Sequence, residues 1–181
     1  MPLHRRVLVL GGARSGKSRL AQEWAESAAS TRVFIATAQA FDDEMRERIA
    51  HHQLVRDASW QTREAPLDLT EAILASAHPE RIVLVDCLTL WLSNVMLAGR
   101  DVNGETDGLV DALSRIQGPV LLVSNEVGQG IVPATALGRS FRDEQGRLNQ
   151  RIAQACDAVV LVTAGCPVLL KPSPPLNLQL G

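Results

Sequence analysis

Gly11-Gly12-Ala13-Arg14-Ser15-Gly16-Lys17-Ser18 is the stretch on which the fold turns. It matches G-x-x-x-x-G-K-S, follows the apolar run Val7-Leu8-Val9-Leu10 and leads into the Ala/Glu-rich segment Ser18–Ala29. An apolar strand, a glycine loop and a helix, in that order, are the context in which this motif cradles phosphate. Glycines let successive backbone N–H groups turn inward around an anion, and the helix N-terminus adds partial positive charge. Lys17 is expected to bridge the β- and γ-phosphates of a nucleoside triphosphate, and the Ser18 hydroxyl to ligate Mg²⁺. Elsewhere lysine occurs only at Lys171, so a lysine inside the glycine stretch is no accident of composition.

Outward from this loop, Val33–Ala36, Ile82–Val85, Val120–Val123 and Ala158–Val162 repeat the pattern of Val7–Leu10. Each is nearly all apolar instead of alternating, as parallel strands covered on both faces are. Helical patterns separate them at Ser18–Ala29, Asp42–Arg56, Leu67–Ala77, Leu88–Leu97, Leu109–Ile116 and Phe141–Ala155. Three acids open Asp42–Arg56, which suits a helix N-terminus. Val168–Leu170 reads as an added edge strand, Gly99–Gly108 as a polar surface loop, and residues 171–181, rich in proline, as an irregular tail. The alternation gives an α/β, doubly wound fold of P-loop NTPase (RecA-like) type: one domain over residues 1–181, a mostly parallel sheet with helices on both faces.

The chain has 181 residues, 46% hydrophobic and 21% charged, with a net charge of −2. These values exclude a disordered chain, a collagen and a coiled coil, and argue against a nucleic-acid or anionic-membrane partner. The apolar run before the first glycines is too short for a signal peptide, and no run spans a membrane. Three cysteines, Cys87, Cys156 and Cys166, have no metal-ligand spacing. They are expected as buried free thiols in a reducing cytoplasm.

Ile82-Val83-Leu84-Val85-Asp86 is an apolar strand ending in an acid, the Walker B arrangement that holds Mg²⁺ beside the phosphates. On its own, such an acid is as readily a helix cap. Asn125-Glu126-Val127-Gly128 follows another strand at the sheet edge where α/β folds bind ligands. Glu126 there is either a metal or acceptor contact or part of a capping turn. Arg142, Arg147 and Arg151 read as a solvated basic face, with phosphate or carboxamide contact as the alternative. Trp60, Trp91 and Cys87 read as packing. His51-His52 sit side by side late in a charged helix; in isolation they are surface residues, but a neutral imidazole also attacks phosphorus to give a phosphoramidate.

Taken together and in order, several segments carry a resemblance. They are Gly11 to Arg19, Ile35-Ala36-Thr37-Ala38-Gln39, Asp42-Asp43-Glu44-Met45 with Arg48-Ile49 and His51-His52, Ser124-Asn125-Glu126-Val127-Gly128 with Gly130-Ile131-Val132-Pro133, and Phe141-Arg142-Asp143 with Gly146-Arg147 and Asn149-Gln150. From about Val7 to Val162 the chain resembles the bifunctional adenosylcobinamide kinase/adenosylcobinamide-phosphate guanylyltransferase family of cobalamin biosynthesis. The resemblance implies two reactions. ATP or GTP phosphorylates the aminopropanol hydroxyl of adenosylcobinamide. GMP from GTP is then transferred to adenosylcobinamide phosphate through a GMP–histidine intermediate, giving adenosylcobinamide-GDP. It further implies His52 as the nucleophile, with its neighbour His51 as the alternative. It places nucleotide contacts at Gly11, Gly12, Ala13, Arg14, Ser15, Gly16, Lys17, Ser18, Thr37, Ala38, Gln39, Gln53, Leu54, Val55, Arg56, Glu64 and Asp86. Mg²⁺ falls to Ser18 and Asp86, and a trimer and movement of the histidine helix are implied as well. A plain small-molecule or nucleoside kinase, and a P-loop switch without transfer chemistry, are the rival readings of the same loop.

Overall fold

The computed structural model describes residues 4–39 and 59–174. The expected helix Asp42–Arg56 lies outside them, and with it His51, His52, Gln53, Leu54, Val55 and Arg56. Seven strands form one sheet: β1 Arg6–Gly11, β2 Thr31–Ala36, β3 Trp60–Glu64, β4 Arg81–Asp86, β5 Val120–Asn125, β6 Ala158–Thr163 and β7 Cys166–Lys171. Their spatial order is β3-β2-β4-β5-β1-β6-β7. All pairings are parallel except β6 with β7. β5 is central and separates β1 from β4. The two strands expected to carry phosphate and metal groups are thus not neighbours.

Five described helices connect the strands: α1 Lys17–Ala28, α2 Leu69–Ser76, α3 Leu88–Leu97, α4 Val102–Arg115 and α5 Ala136–Ala155. Alternation along each strand divides the core in two. Leu8, Leu10, Val83, Val85 and Leu122 face α2 to α5 through Leu69, Trp91, Leu113, Leu148 and Ile152. Val9, Ile82, Leu84, Leu121 and Val123 face α1 through Ala21 and Ala25. Helices therefore cover both faces, as the apolar strands require. Small alanines on α1 let that helix lie close to the strands beneath the glycine loop.

The five apolar runs are all strands, and Val168–Leu170 belongs to the antiparallel edge strand β7. That strand also takes in Lys171, whose ammonium donates to the carbonyls of Ala153, Gln154 and Cys156. Lys171 is therefore strand and not the start of the tail; of that expected tail, residues 175–181 lie outside the described residues. The Gly99–Gly108 loop is a correction. From Val102 it is helix, because the Asp101 carboxylate caps the Asn103 N–H at 3.1 Å and buries Thr106 and Leu109 on one face. Its two glycines hid that helix. α5 likewise starts five residues before Phe141, where the Thr135 hydroxyl accepts from the Gly138 N–H at 3.1 Å. β3 was not anticipated. It is an edge strand whose residues after Trp60 are exposed and polar, so it lacks an apolar run. Cys166 is also a correction: Cys87 and Cys156 are buried, but Cys166 is exposed at the start of β7. Trp60 and Trp91 are buried, as expected of packing residues.

Candidate active site: a phosphate loop at the carboxyl edge of the sheet

At the end of β1 the chain turns tightly, the Ser15 N–H donating to the Gly12 carbonyl at 3.2 Å. Gly16 then caps α1 at φ 94°, a conformation that side chains strain to adopt, and Arg14 takes φ 56°. Gly11 is fixed by space. A β-carbon there would run into the Ser15 hydroxyl and lie 2.6 Å from the Val162 carbonyl oxygen. The β6–β7 turn buttresses the loop from outside, the Gly165 N–H donating to the Ser15 carbonyl at 2.8 Å. Gly11 to Ser18 is thus a braced phosphate loop, in the place the motif predicts.

Lys17 is only 8% exposed, and its Nζ donates to the Gly12 carbonyl at 3.1 Å. A nearly buried ammonium on a neutral carbonyl, at the N-terminus of a helix, is an arrangement that calls for an anion. Asp86 ends β4 half-buried, two strands from β1. Alternation with Leu84 directs it to the α1 face, the face of the loop. The Cys87 thiol senses both groups. Burial pushes it up to about 11, the Asp86 charge adds to this, and Lys17 opposes it. Lysine and carboxylate therefore share one electrostatic neighbourhood.

The hydroxyl of Ser18 and the carboxylate of Asp86 are hard oxygen donors, the kind Mg²⁺ takes alongside phosphate and water. Among the described residues no group of three or more His, Cys, Asp and Glu side chains could hold a metal by itself. A cation that brings most of its ligands from nucleotide and water fits such a donor set.

The remaining expected contacts fan out along the carboxyl edge. Thr37 follows β2 and is fully buried. Its hydroxyl donates to the Cys87 carbonyl at 2.7 Å and accepts from the Cys87 N–H at 2.8 Å. Its carbonyl accepts from Asn94 Nδ2 at 2.8 Å. The Thr37 side chain is therefore spent on fixing the backbone just after Asp86. Ala38 and Gln39 are half-buried beyond it. Glu64 is exposed at the end of β3, four strands from β1, or about 19 Å at the usual strand spacing. The structure brings Gly11 to Ser18 and Asp86 together and sets Glu64 at the far rim.

Glu126 takes the turn role. Its N–H donates to the Gly11 carbonyl at 3.1 Å, and its own carboxylate accepts from the Gly128 N–H at 2.8 Å. Arg147 pairs with Glu144, Arg151 with Asp107 and Arg142 with Asp143, so the arginines of α5 form an ionic surface. Sequence reasoning gave no role to Thr89, Ser124, Gln145 or Asn149. They form a buried polar cluster under the end of β5, and the signal was Gln145 and Asn149 at i,i+4 beside the core residues Leu148 and Ile152.

Comparison with known proteins places nearly the whole chain among its relatives. The family model described as cobinamide kinase / cobinamide phosphate guanyltransferase matches residues 7–170. The bifunctional adenosylcobalamin biosynthesis protein CobP of Pseudomonas aeruginosa is 47% identical over 171 residues, 93% of this chain and 99% of that protein. CobU of Salmonella typhimurium, a bifunctional adenosylcobalamin biosynthesis protein, is 41% identical over 180 residues, 91% of this chain and 99% of its own. Among solved structures, a prototypical ATPase from the type III secretion system of pathogenic bacteria superposes with TM-score 0.54 at 10% identity, over 88% of this chain and 51% of the ATPase. The P4 protein of bacteriophage phi6 in complex with ADP gives 0.50 at 12% identity, over 95% and 59%. These two share the fold.

Proposed function

The chain belongs to the cobinamide kinase / cobinamide phosphate guanyltransferase family, and from that premise we propose that a single nucleotide cradle serves both of its transfers. It is a bifunctional enzyme of adenosylcobalamin biosynthesis. The observation that carries the one-cradle reading is the braced loop with its nearly buried Lys17 on the same face as Asp86.

In the kinase step the substrate hydroxyl attacks the γ-phosphorus of ATP or GTP, and the nucleoside diphosphate leaves with the bridging electron pair. Loop amides and Lys17 hold the β- and γ-phosphates in line, which is most of what such a transfer needs. Ser18 and Asp86 would hold Mg²⁺; when bound, it neutralises charge on the phosphate oxygens. The guanylyl step breaks the α–β bond of GTP instead. Lys17 at the β/γ end cannot supply a nucleophile there, so a second group is required. His52 attacks the α-phosphorus, pyrophosphate leaves, and the phosphate of adenosylcobinamide phosphate then takes GMP from the imidazole. A neutral imidazole is available for this at pH 7. Gln53 to Arg56 and Glu64 bind the guanosine end, His51 is the neighbour that does not react, and the enzyme works in the cytoplasm as a trimer.

Incubation with GTP labelled at the α-phosphate tests this. Acid-labile, alkali-stable label on the protein is expected, retained in Lys171→Ala and lost in His52→Ala. Label kept in His52→Ala and lost in His51→Ala reassigns the nucleophile. No label in the unaltered protein leaves a kinase that uses the P-loop alone.

A further inference from the structure

Asn125 is the last residue of β5, the strand between the phosphate-loop strand and the strand of Asp86. Four observations single it out. In register it lies opposite Gly11, where the loop begins. Alternation with Leu121 and Val123 turns its side chain to the α1 face, which it shares with Asp86 and the loop. Both of its backbone groups are pinned by side chains: its N–H donates to Thr89 Oγ1 at 2.8 Å, and its carbonyl accepts from Asn149 Nδ2 at 3.0 Å. Asn149 is itself held by Ser124 Oγ at 2.7 Å and Gln145 Nε2 at 2.9 Å, both donating to its Oδ1. The next residue, Glu126, is tied to the Gly11 carbonyl.

So much buried polar structure behind one exposed-edge residue is costly unless it fixes something. What it fixes is a carboxamide whose Oδ1 is buried and has no hydrogen-bond partner among the described residues. An orphaned acceptor between the phosphate loop and the Walker B carboxylate calls for a donor that arrives with the ligand.

We propose that the Asn125 carboxamide is a catalytic contact of the kinase step, reading the γ-phosphoryl group. Its Nδ2 donates to a γ-phosphoryl oxygen, and its Oδ1 accepts from the incoming hydroxyl. The oxygen–γ-phosphorus bond forms, the bond from γ-phosphorus to the bridging oxygen breaks, and the hydroxyl proton passes on to solvent. Thr89 and Asn149 are positioning residues that hold Asn125 in place. The inference rests on nucleotide binding at the loop, so Lys17→Ala is the reference that tests that reading separately.

The experiment measures cobinamide phosphorylation, binding of ADP and of a non-hydrolysable ATP analogue, and thermal unfolding for each variant. Asn125→Ala and the isosteric Asn125→Asp are expected to lower kcat about 100-fold, the usual cost of one lost donor at a developing charge. Binding of the triphosphate analogue weakens about tenfold, while that of ADP stays within about twofold. Thr89→Val is expected to lower kcat and to weaken the triphosphate analogue but not ADP, and Thr89→Ser to restore both. If folded Asn125→Ala and Asn125→Asp keep kcat within about threefold, or weaken ADP and the analogue equally, the assignment is wrong. If Lys17→Ala leaves nucleotide binding intact, it is the loop reading that fails instead.

Discussion

Gly11 shows how little latitude the site leaves at the level of single residues. Gly11→Ala places a methyl group against the Ser15 hydroxyl and 2.6 Å from the Val162 carbonyl, which is backbone and cannot yield. Overpacking of this kind costs roughly 1–3 kcal/mol. A matching drop in stability on urea titration, together with loss of triphosphate binding, is expected; unchanged binding would mean that the loop tolerates a different path. Gly12, by contrast, has open space around its β-carbon position, and Gly12→Ala is expected to keep its stability. The thiols separate in the same way. Burial pushes Cys156 up to about 12 and Cys87 up to about 11, whereas Cys166 is exposed. A thiol reagent at pH 8 is expected to modify Cys166 rapidly and the other two only after unfolding. Three rapid equivalents in the native protein would contradict the burial described. The lysine and the Walker B acid were legible because phosphate chemistry fixes both their type and their spacing. Thr37 was legible only as a position: no pattern in the sequence reveals that its hydroxyl is consumed by Cys87.

Whether an element could be read depended on how its stability is divided between pattern and caps. The parallel strands are buried on both faces, so their apolar runs announced them. β3 has one buried tryptophan and an exposed remainder, held by backbone pairing to β2 that no side chain advertises. The second half of α4 was legible from Leu109 on, but its first half was mistaken for loop because Gly104 and Gly108 weaken its pattern, while its start depends on one Asp101 cap. α5 starts early for the same reason, on Thr135. Thr135→Ala is therefore expected to cost about 1 kcal/mol, read as a lower urea midpoint with an unchanged slope. No change would place the true start of α5 nearer Phe141, as the sequence pattern has it.

Across the whole molecule, the two ends of the sheet do different work. The carboxyl edge gathers the loop, Asp86 and Asn125. The opposite edge is closed by Arg6 and Asp157, whose side chains meet at 2.8 Å, with the Arg5 and Arg6 N–H groups also donating to Asp157 at 3.0 and 2.9 Å. Burial alone would raise the Asp157 carboxyl, but these donors outweigh it and hold it below its usual 3.8. A depressed carboxylate contributes stability that is present above its unfolded pKa and is lost as pH falls through the folded value. Asp157→Asn is thus expected to be less stable than the parent at pH 7, with the gap closing below about pH 4. A gap independent of pH would locate the effect in shape, not charge. Among the described residues no helix is long and apolar enough to cross a membrane.

Both proposed transfers, chemically distinct as they are, depend on a single phosphate loop. Mass analysis of the corrinoid products formed from cobinamide and GTP tests this dependence most directly. The parent is expected to yield cobinamide phosphate and then its GMP adduct, Lys17→Ala neither, and His52→Ala only the phosphate. Formation of the GMP adduct from supplied cobinamide phosphate by folded Lys17→Ala, at the parent's rate, would contradict it, because the second transfer would then have a cradle of its own.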